Sequence, residues 1–326
     1  MKAVLLVEAA GPLTTLQDGG RFGHLRHGVT HSGPIDRAGF AAAHAMLGNP
    51  MGGAAVEVSH GGVVLRCIEG EVAFALAGGD FVATLDGVAL GGWNGGVLRP
   101  GGRLVVRDCG ASNWATLAFG GEIQGKQWLG SSATLALVGL GGGRLVAGDR
   151  VTVVVRPGVE VRNIVPPPVE NAPVRVVMGP QADSFSDETV AAFLGESFAI
   201  GPAFDRMGVV LQGPAVVPLS VSMLSAPVLR GNVQVNGEGV ATILLADHQT
   251  TGGYPRIASV ISADLDRVAQ LRCGSQVRFV AVTAGEAVAL ARAAAVAQAG
   301  WMVPTRFEDR LAGANLIDGA VDARGF

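Results

Sequence analysis

The chain of 326 residues, 49% hydrophobic and only 16% charged, is long enough to bury a sizeable core, and length alone suggests about two domains. A net charge of −3, with lysine only at Lys2 and Lys126, offers no basic stripe to displace the counterions of nucleic acid. Forty-nine glycines with no collagen period punctuate Val/Leu-rich runs, which argues for many short strands with tight turns and against disorder.

The cysteines, Cys67, Cys109 and Cys273, are scattered and odd in number, so neither a disulfide framework nor a Cys-x-x-Cys metal pair follows. That usage fits a reducing cytoplasm. Residues 1–8 lack the apolar segment of a signal peptide, and no run reaches the ~18 apolar residues of a membrane helix. A cytoplasmic protein with no nucleic-acid or membrane partner is expected.

In chain order, residues 3–8 read as a strand, and 11–33 as a polar, glycine-punctuated segment. Residues 36–48 read as a helix with Phe40, Ala43, His44 and Leu47 on one face and Asp36 as its cap. Residues 54–155 alternate apolar runs with Gly-containing turns, of which Asp86-Gly87 is the sharpest hairpin signal. Pro166-Pro167-Pro168 cannot continue a ladder or a helix and marks a boundary. Beyond it come a strand at 174–178, a helix at 186–194, further strands through 215–279 and an alanine-rich helix at 285–299. The expected fold is all-β, in units 1–165, 174–284 and a helical extension 285–326.

Within 244–264 an apolar run breaks into Asp247-His248-Gln249-Thr250-Thr251-Gly252-Gly253-Tyr254-Pro255 and resumes as the alternation Ile257, Ser259, Ile261. The break offers carboxylate, imidazole, amide and two hydroxyls beside glycines that let a ligand approach the backbone. A tight turn whose Asp and Thr bond their own backbone reads the same way. His24, His27 and His31 have helical spacing, but Gly28 and Gly33 argue against a helix there and no further ligand completes a metal site. No metal is expected, and His27, just before Gly28-Val29, is the favoured substrate contact. Neither Gly-x-Ser-x-Gly nor a phosphate loop occurs, and Gly139-x-Gly141-Gly142-Gly143-Arg144 lacks the third glycine of the dinucleotide fingerprint.

The run Asp247-x-Gln249-Thr250-Thr251-Gly252-Gly253-Tyr254-Pro255, with Ile261-Ser262-Ala263-Asp264 and Ala269-Gln270-Leu271, resembles the signature of the family containing the C subunit of 5-oxoprolinase, KipA and the carboxyltransferase domain of urea carboxylase (urea amidolyase). Further matches are Thr14-Thr15-x-Gln17-Asp18-x-Gly20-Arg21, Ser32-Gly33-x-x-Asp36, Gly48-Asn49-Pro50, Glu57, Gly120-Gly121, Leu129-Gly130-Ser131, Gly179-Pro180-Gln181-x-Asp183, Asp205-Arg206-Met207-Gly208 and Gly231-x-Val233-Gln234-Val235. The chain departs from the family at Ser132, where an arginine is usual, at Ala226, where Glu is usual, and at Asn236, where Pro is usual. Lys126 near the lost arginine offers a point charge rather than a bidentate fork.

The resemblance implies two cyclophilin-like β-barrel lobes with a site between them. Onto this chain it carries Asp247, Gln249, Thr250, Thr251 and Tyr254 as catalytic candidates. Gln17, Asp18, Arg21, His27, Ser32, Asp36, Gly120, Gly121, Ser131, Gln181 and Gln234 become substrate contacts. It implies an ATP-dependent 5-oxoprolinase complex, with ATP bound by the complex rather than by this chain alone. The partners implied are a KipI-like protein, resembling the B subunit of 5-oxoprolinase, and a LamB/YcsF-like protein, resembling its A subunit. Two other functions are implied: a carboxyltransferase acting on urea or a related amide, its biotin carried on another protein, or a KipA-like regulator holding a KipI-like partner.

Overall fold

A computed structural model describes residues 1–301 apart from 169 and 222, so most of the expected 285–326 extension lies outside the described residues. Among the described residues, no helix is long and apolar enough to cross a membrane.

The first half forms two antiparallel sheets. One has seven strands, in the order Gly121–Gln124, Arg150–Val155, Lys2–Ala10, Val63–Glu69, Arg103–Asp108, Phe81–Leu85, Val88–Gly91. The other has five, in the order Thr15–Gln17, Ala55–Ser59, Trp114–Phe119, Val72–Ala77, Asn94–Leu98. Val72–Ala77 is buried on both faces, and its Val-Ala-Phe-Ala-Leu-Ala pattern explains how. Successive side chains point to opposite faces, so Phe74 and Leu76 fill the core with Leu5, Leu65 and Leu117. Ala73, Ala75 and Ala77 leave room on the other face for helix α1, Arg37–Met46. The helix sits so close that a Cβ on Gly39 would lie 2.7 Å from the Cα of Gly78. Its N-terminus forms as the sequence predicts, with Asp36 extended and its carboxylate accepting from the Gly39 amide at 2.8 Å.

The second half holds one eight-stranded sheet: Gln276–Val277, Phe198–Phe204, Gly208–Gln212, Ala241–Leu244, Asn232–Val235, Arg256–Val260, Val174–Met178, Phe279–Ala281. Its two outermost members are separated in sequence only by Arg278. One segment therefore pairs with Phe198–Phe204 at its start and with Val174–Met178 at its end, which closes the sheet into a barrel. The fold is mostly β, as expected.

Helix α2, Asp187–Gly195, starts at Ser186, whose hydroxyl accepts from the Thr189 amide. Helix α3, Ser262–Gln270, corrects the expectation of strands throughout 215–279. Leu265, Val268 and Ala269 are buried at three- and four-residue spacing, and that face packs into the barrel core. Helix α4, Ala284–Ala299, begins with a reciprocal capping box between Thr283 and Glu286.

Among the described residues no strand pairing joins 1–155 to 174–281. Side chains join the halves instead. Ile35 and Trp114 of the first half belong to the core of the second. Gln270 of α3 accepts from the Asn113 and Trp114 amides and donates to the Trp114 carbonyl and the Asp36 carboxylate.

Candidate functional site between the two halves

Arg206 lies in the turn between Phe198–Phe204 and Gly208–Gln212 and reaches across to the first half. Its Nε donates to Asp247 Oδ2 at 2.9 Å and its Nη2 to Asp247 Oδ1 at 3.0 Å. Nη1 donates to Glu57 Oε1, and Nη2 also to the Gly33 carbonyl at 2.8 Å. The three charged side chains are only 3–4% exposed. Burial works against the charge of Arg206, but the carboxylates of Asp247 and Glu57 outweigh it and raise its pKa. Burial pushes the Glu57 carboxyl up against the pull of Arg206, and its Oε2 accepts from the Ile35 amide at 2.8 Å. Asp247 thus has both oxygens engaged by a guanidinium, an arrangement that orients groups around it rather than leaving a free proton acceptor.

The polar segment 11–33 folds against this cluster. Thr30 Oγ1 donates to the Ala246 carbonyl at 3.1 Å, and Arg230 donates to the Pro34 and Ile35 carbonyls. Asp18 accepts from the Gly20 amide (2.9 Å), Ser131 Oγ (2.7 Å) and the Ser132 amide (2.5 Å), so it organises residues 131–134. Gln17 Nε2 donates to the Thr134 carbonyl at 3.1 Å, and Arg21 Nη2 donates to the neighbouring Ala133 carbonyl. Within this nest Gln17 Oε1, Arg21 Nε and Nη1, and Ser32 Oγ are buried with no hydrogen-bond partner. Burial lowers the pKa of Arg21, and the charges of Asp18 and Asp247 act in the opposite direction. Ser32 stands in the left-handed region, φ 52°.

Other sequence-chosen residues fall elsewhere. Gln234 Oε1 accepts from Gln249 Nε2 at 2.9 Å. Both line a 530 Å³ cleft on the barrel with Pro202, Asp205, Met207, Val210, Thr242 and Leu244. None of Gln17, Asp18, Arg21, Ser32 or Asp36 lines that cleft, so Asp247 and Gln249, two residues apart, serve different surroundings. Gln181 Oε1 accepts from Arg256 Nε at 2.7 Å and holds that buried arginine. Thr250 is half-buried, while Thr251 and Tyr254 are exposed. Asp36, bonded to Gln270, serves the contact between the halves.

His27, Gly120 and Gly121 also lie apart. His27 lies exposed in the turn Leu25–His27, its ring bonded to the Arg26 side chain at 3.1 Å. Gly120 and Gly121 carry the chain from one sheet to the other. A Cβ at Gly121 would lie 2.2 Å from the Val154 carbonyl oxygen, so close backbone approach explains that glycine. His31 and His248 are the histidines drawn in: burial lowers the pKa of each, and the charge of His248 lowers that of His31 further. His248 Nδ1 lies 2.5 Å from the Gln249 carbonyl, and His31 packs on Phe22. Sequence reasoning assigned no role to Arg206 or Glu57, although both stand inside matched motifs. Among the described residues no group of three or more His, Cys, Asp or Glu side chains is arranged to hold a metal.

Comparison with known proteins gives this geometry a family. The carboxyltransferase domain, subdomain A and B, matches residues 27–281. The C subunit of 5-oxoprolinase from Escherichia coli is 33% identical over 293 residues, covering 87% of this chain and 93% of its own length. A putative urea carboxylase of Emericella nidulans is 26% identical over 86% of this chain, which spans only 24% of that protein. The crystal structure of the Kluyveromyces lactis urea amidolyase superposes with a TM-score of 0.83 at 24% identity, over 94% of this chain and 20% of that one. This chain belongs to the carboxyltransferase-domain family, subdomain A and B, in which the C subunit of 5-oxoprolinase is a relative over nearly its whole length.

Proposed function

We propose that this chain is the component equivalent to the C subunit in an ATP-dependent complex that opens the lactam 5-oxoproline to glutamate. The observation that carries the reading is its 33% identity to a 5-oxoprolinase component over 93% of that protein. The urea carboxylase match is weaker and covers a quarter of a much longer chain. The strand pairings support taking 1–165 and 174–284 as the two lobes, with the Arg206 cluster between them.

An unactivated lactam carbonyl resists attack, and phosphorylation at the expense of ATP is the chemistry that overcomes this. The residues here do not suit the nucleotide. Arg21 stands beside the carboxylates of Asp18 and Asp247, surroundings that oppose the added negative charge of a triphosphate. The nucleotide therefore belongs on a partner, for which KipI-like and LamB/YcsF-like proteins are proposed. In this chain Arg206 fixes Asp247, Asp18 fixes residues 131–134, and the Gln234–Gln249 pair supplies amide donors and acceptors to the barrel cleft. Such pre-set groups accelerate reactions by holding reactants in place. The test is reconstitution with the two partner proteins and measurement of ATP hydrolysis with and without 5-oxoproline. A carboxyltransferase would instead need a biotinylated carrier and bicarbonate, and turnover with those alone would move the assignment to that reading.

A further inference from the structure

Opening a lactam moves a proton from water to the ring nitrogen, a transfer that a positioned acceptor side chain speeds. Asp247 is a poor acceptor, because both of its oxygens are held by Arg206. His248 follows it directly and is 4% exposed. It occupies the open position of the run Asp247-x-Gln249, to which the family resemblance assigns no role. In the chain it stands between the Arg206 cluster and Gln249 of the barrel cleft, and the bond from Thr30 Oγ1 to the Ala246 carbonyl brings the segment 11–33 against the backbone just before it.

The backbone fixes which nitrogen of this ring is basic. Nδ1 lies 2.5 Å from the Gln249 carbonyl oxygen, and a carbonyl only accepts, so Nδ1 carries the hydrogen and the neutral ring presents Nε2 as a lone pair. The surroundings keep the ring neutral. Burial lowers its pKa, the Gln249 bond opposes this, the Arg230 charge lowers it further, and the Asp247 charge opposes in turn. Arg230 is itself fixed on the Pro34 and Ile35 carbonyls. His31, on the facing segment, is held neutral in the same way, first by burial and then by the charges of His248, Arg37 and His24. Among the described residues Nε2 of His248 has no hydrogen-bond partner, yet it is not one of the side-chain atoms sealed from solvent. Buried His44 shows the contrast, for its Nε2 is both unpartnered and sealed.

We infer that His248 is the proton acceptor of this site, working through Nε2 while its Nδ1–H stays on the Gln249 carbonyl. The use made of it rests on the lactam reading. Water adds to the carbonyl carbon, activated at the expense of ATP, and one of its protons passes to Nε2. As the C–N bond breaks, its electron pair stays on the ring nitrogen, which takes that proton back from Nε2. Asp247 holds its place beside Arg206 and stays ionised throughout.

The experiment has two arms. In the first, the full chain carries nitrogen-15 histidine, and the His248 ring is assigned through His248→Asn. At neutral pH the expected ring has a protonated Nδ1 and a bare Nε2, and it becomes imidazolium only below the ordinary histidine value of 6.5. A ring protonated at Nε2 at neutral pH overturns the proposal. In the second arm the reconstituted complex is assayed with ATP and 5-oxoproline. His248→Asn retains an N–H for the Gln249 carbonyl but no base, and should lower kcat on the order of 10²- to 10⁴-fold. The parent's kcat/KM should fall as pH drops through the His248 midpoint, the variant should lose that limb, and added imidazole should restore part of its rate. A merely structural histidine predicts neither change. If His248→Asn does not fold, His248→Gln takes its place. A folded variant with full turnover or an unchanged acid limb overturns the proposal. A parent complex silent toward 5-oxoproline counts against the lactam reading instead, and His248 is then judged by its ring state and by the same substitution in turnover with a biotinylated carrier and bicarbonate, where undiminished rate again overturns it.

Discussion

Arg206 grips Asp247 along one edge of its guanidinium, 2.9 Å from Nε to Oδ2 and 3.0 Å from Nη2 to Oδ1, and extends its remaining nitrogen to Glu57 in the other half. A residue of the second half is thereby the hub on which both halves close. In a dry interior each of these charges depends on the others, because removing one strands its partners without water.

Arg206→Met should therefore be strongly destabilising, by about 3–5 kcal/mol, since it leaves Asp247 and Glu57 buried and unpaired. Urea unfolding of the variant against the parent chain measures this. A loss within ordinary surface-substitution range would mean that the cluster does not hold the halves together.

Asp247 and Arg206 should act as one unit in turnover as well. Arg206→Lys keeps the charge and loses the bidentate fork, and Asp247→Asn keeps the shape and loses the charge. In a double-mutant cycle on the reconstituted complex the two changes together should cost hardly more than either alone. Additive losses would show that Asp247 works independently of Arg206.

Burial raises the Asp36 carboxyl to about 7, with the nearby Asp266 charge adding to the shift and the Gly39 and Gln270 bonds opposing it. The folded chain then keeps a proton that the unfolded chain releases near 3.8. The stability this group contributes is full below that lower value and is lost as pH rises through about 7. Asp36→Asn should remove this slope, which is at most about 1.4 kcal/mol per pH unit. Unfolding free energies of both proteins from about pH 4 to about pH 8 test it, and parallel curves would contradict it.

The pair Gln234–Gln249 gives a milder prediction. Gln249→Leu removes the 2.9 Å bond at the barrel cleft and should cost about 1 kcal/mol of stability. In the complex it should raise KM for the lactam more than it lowers kcat. An unchanged KM would place substrate binding away from this cleft.

Local signals in the sequence carried much of the fold. The Asp36 cap and the Asp86-Gly87 turn each act within a few residues, and each forms as read. Helix α3 was hidden because its short apolar set, Leu265, Val268 and Ala269, follows directly on a strand and fits no strong cap. The hub was hidden for a different reason. Arg206 lies 149 positions from Glu57 and 41 from Asp247, and nothing local in the chain says that two acids will share one arginine. His27 stood out by its place just before Gly28-Val29, but that place cannot show that its turn faces solvent.

The most direct measurement is ATP hydrolysis by the complex assembled from this chain and the proposed LamB/YcsF-like and KipI-like partners. The predicted result is turnover that requires 5-oxoproline, yields glutamate, and disappears when this chain is left out. Lactam-dependent turnover that persists without the chain, or a complete complex that never responds to 5-oxoproline, would contradict the account.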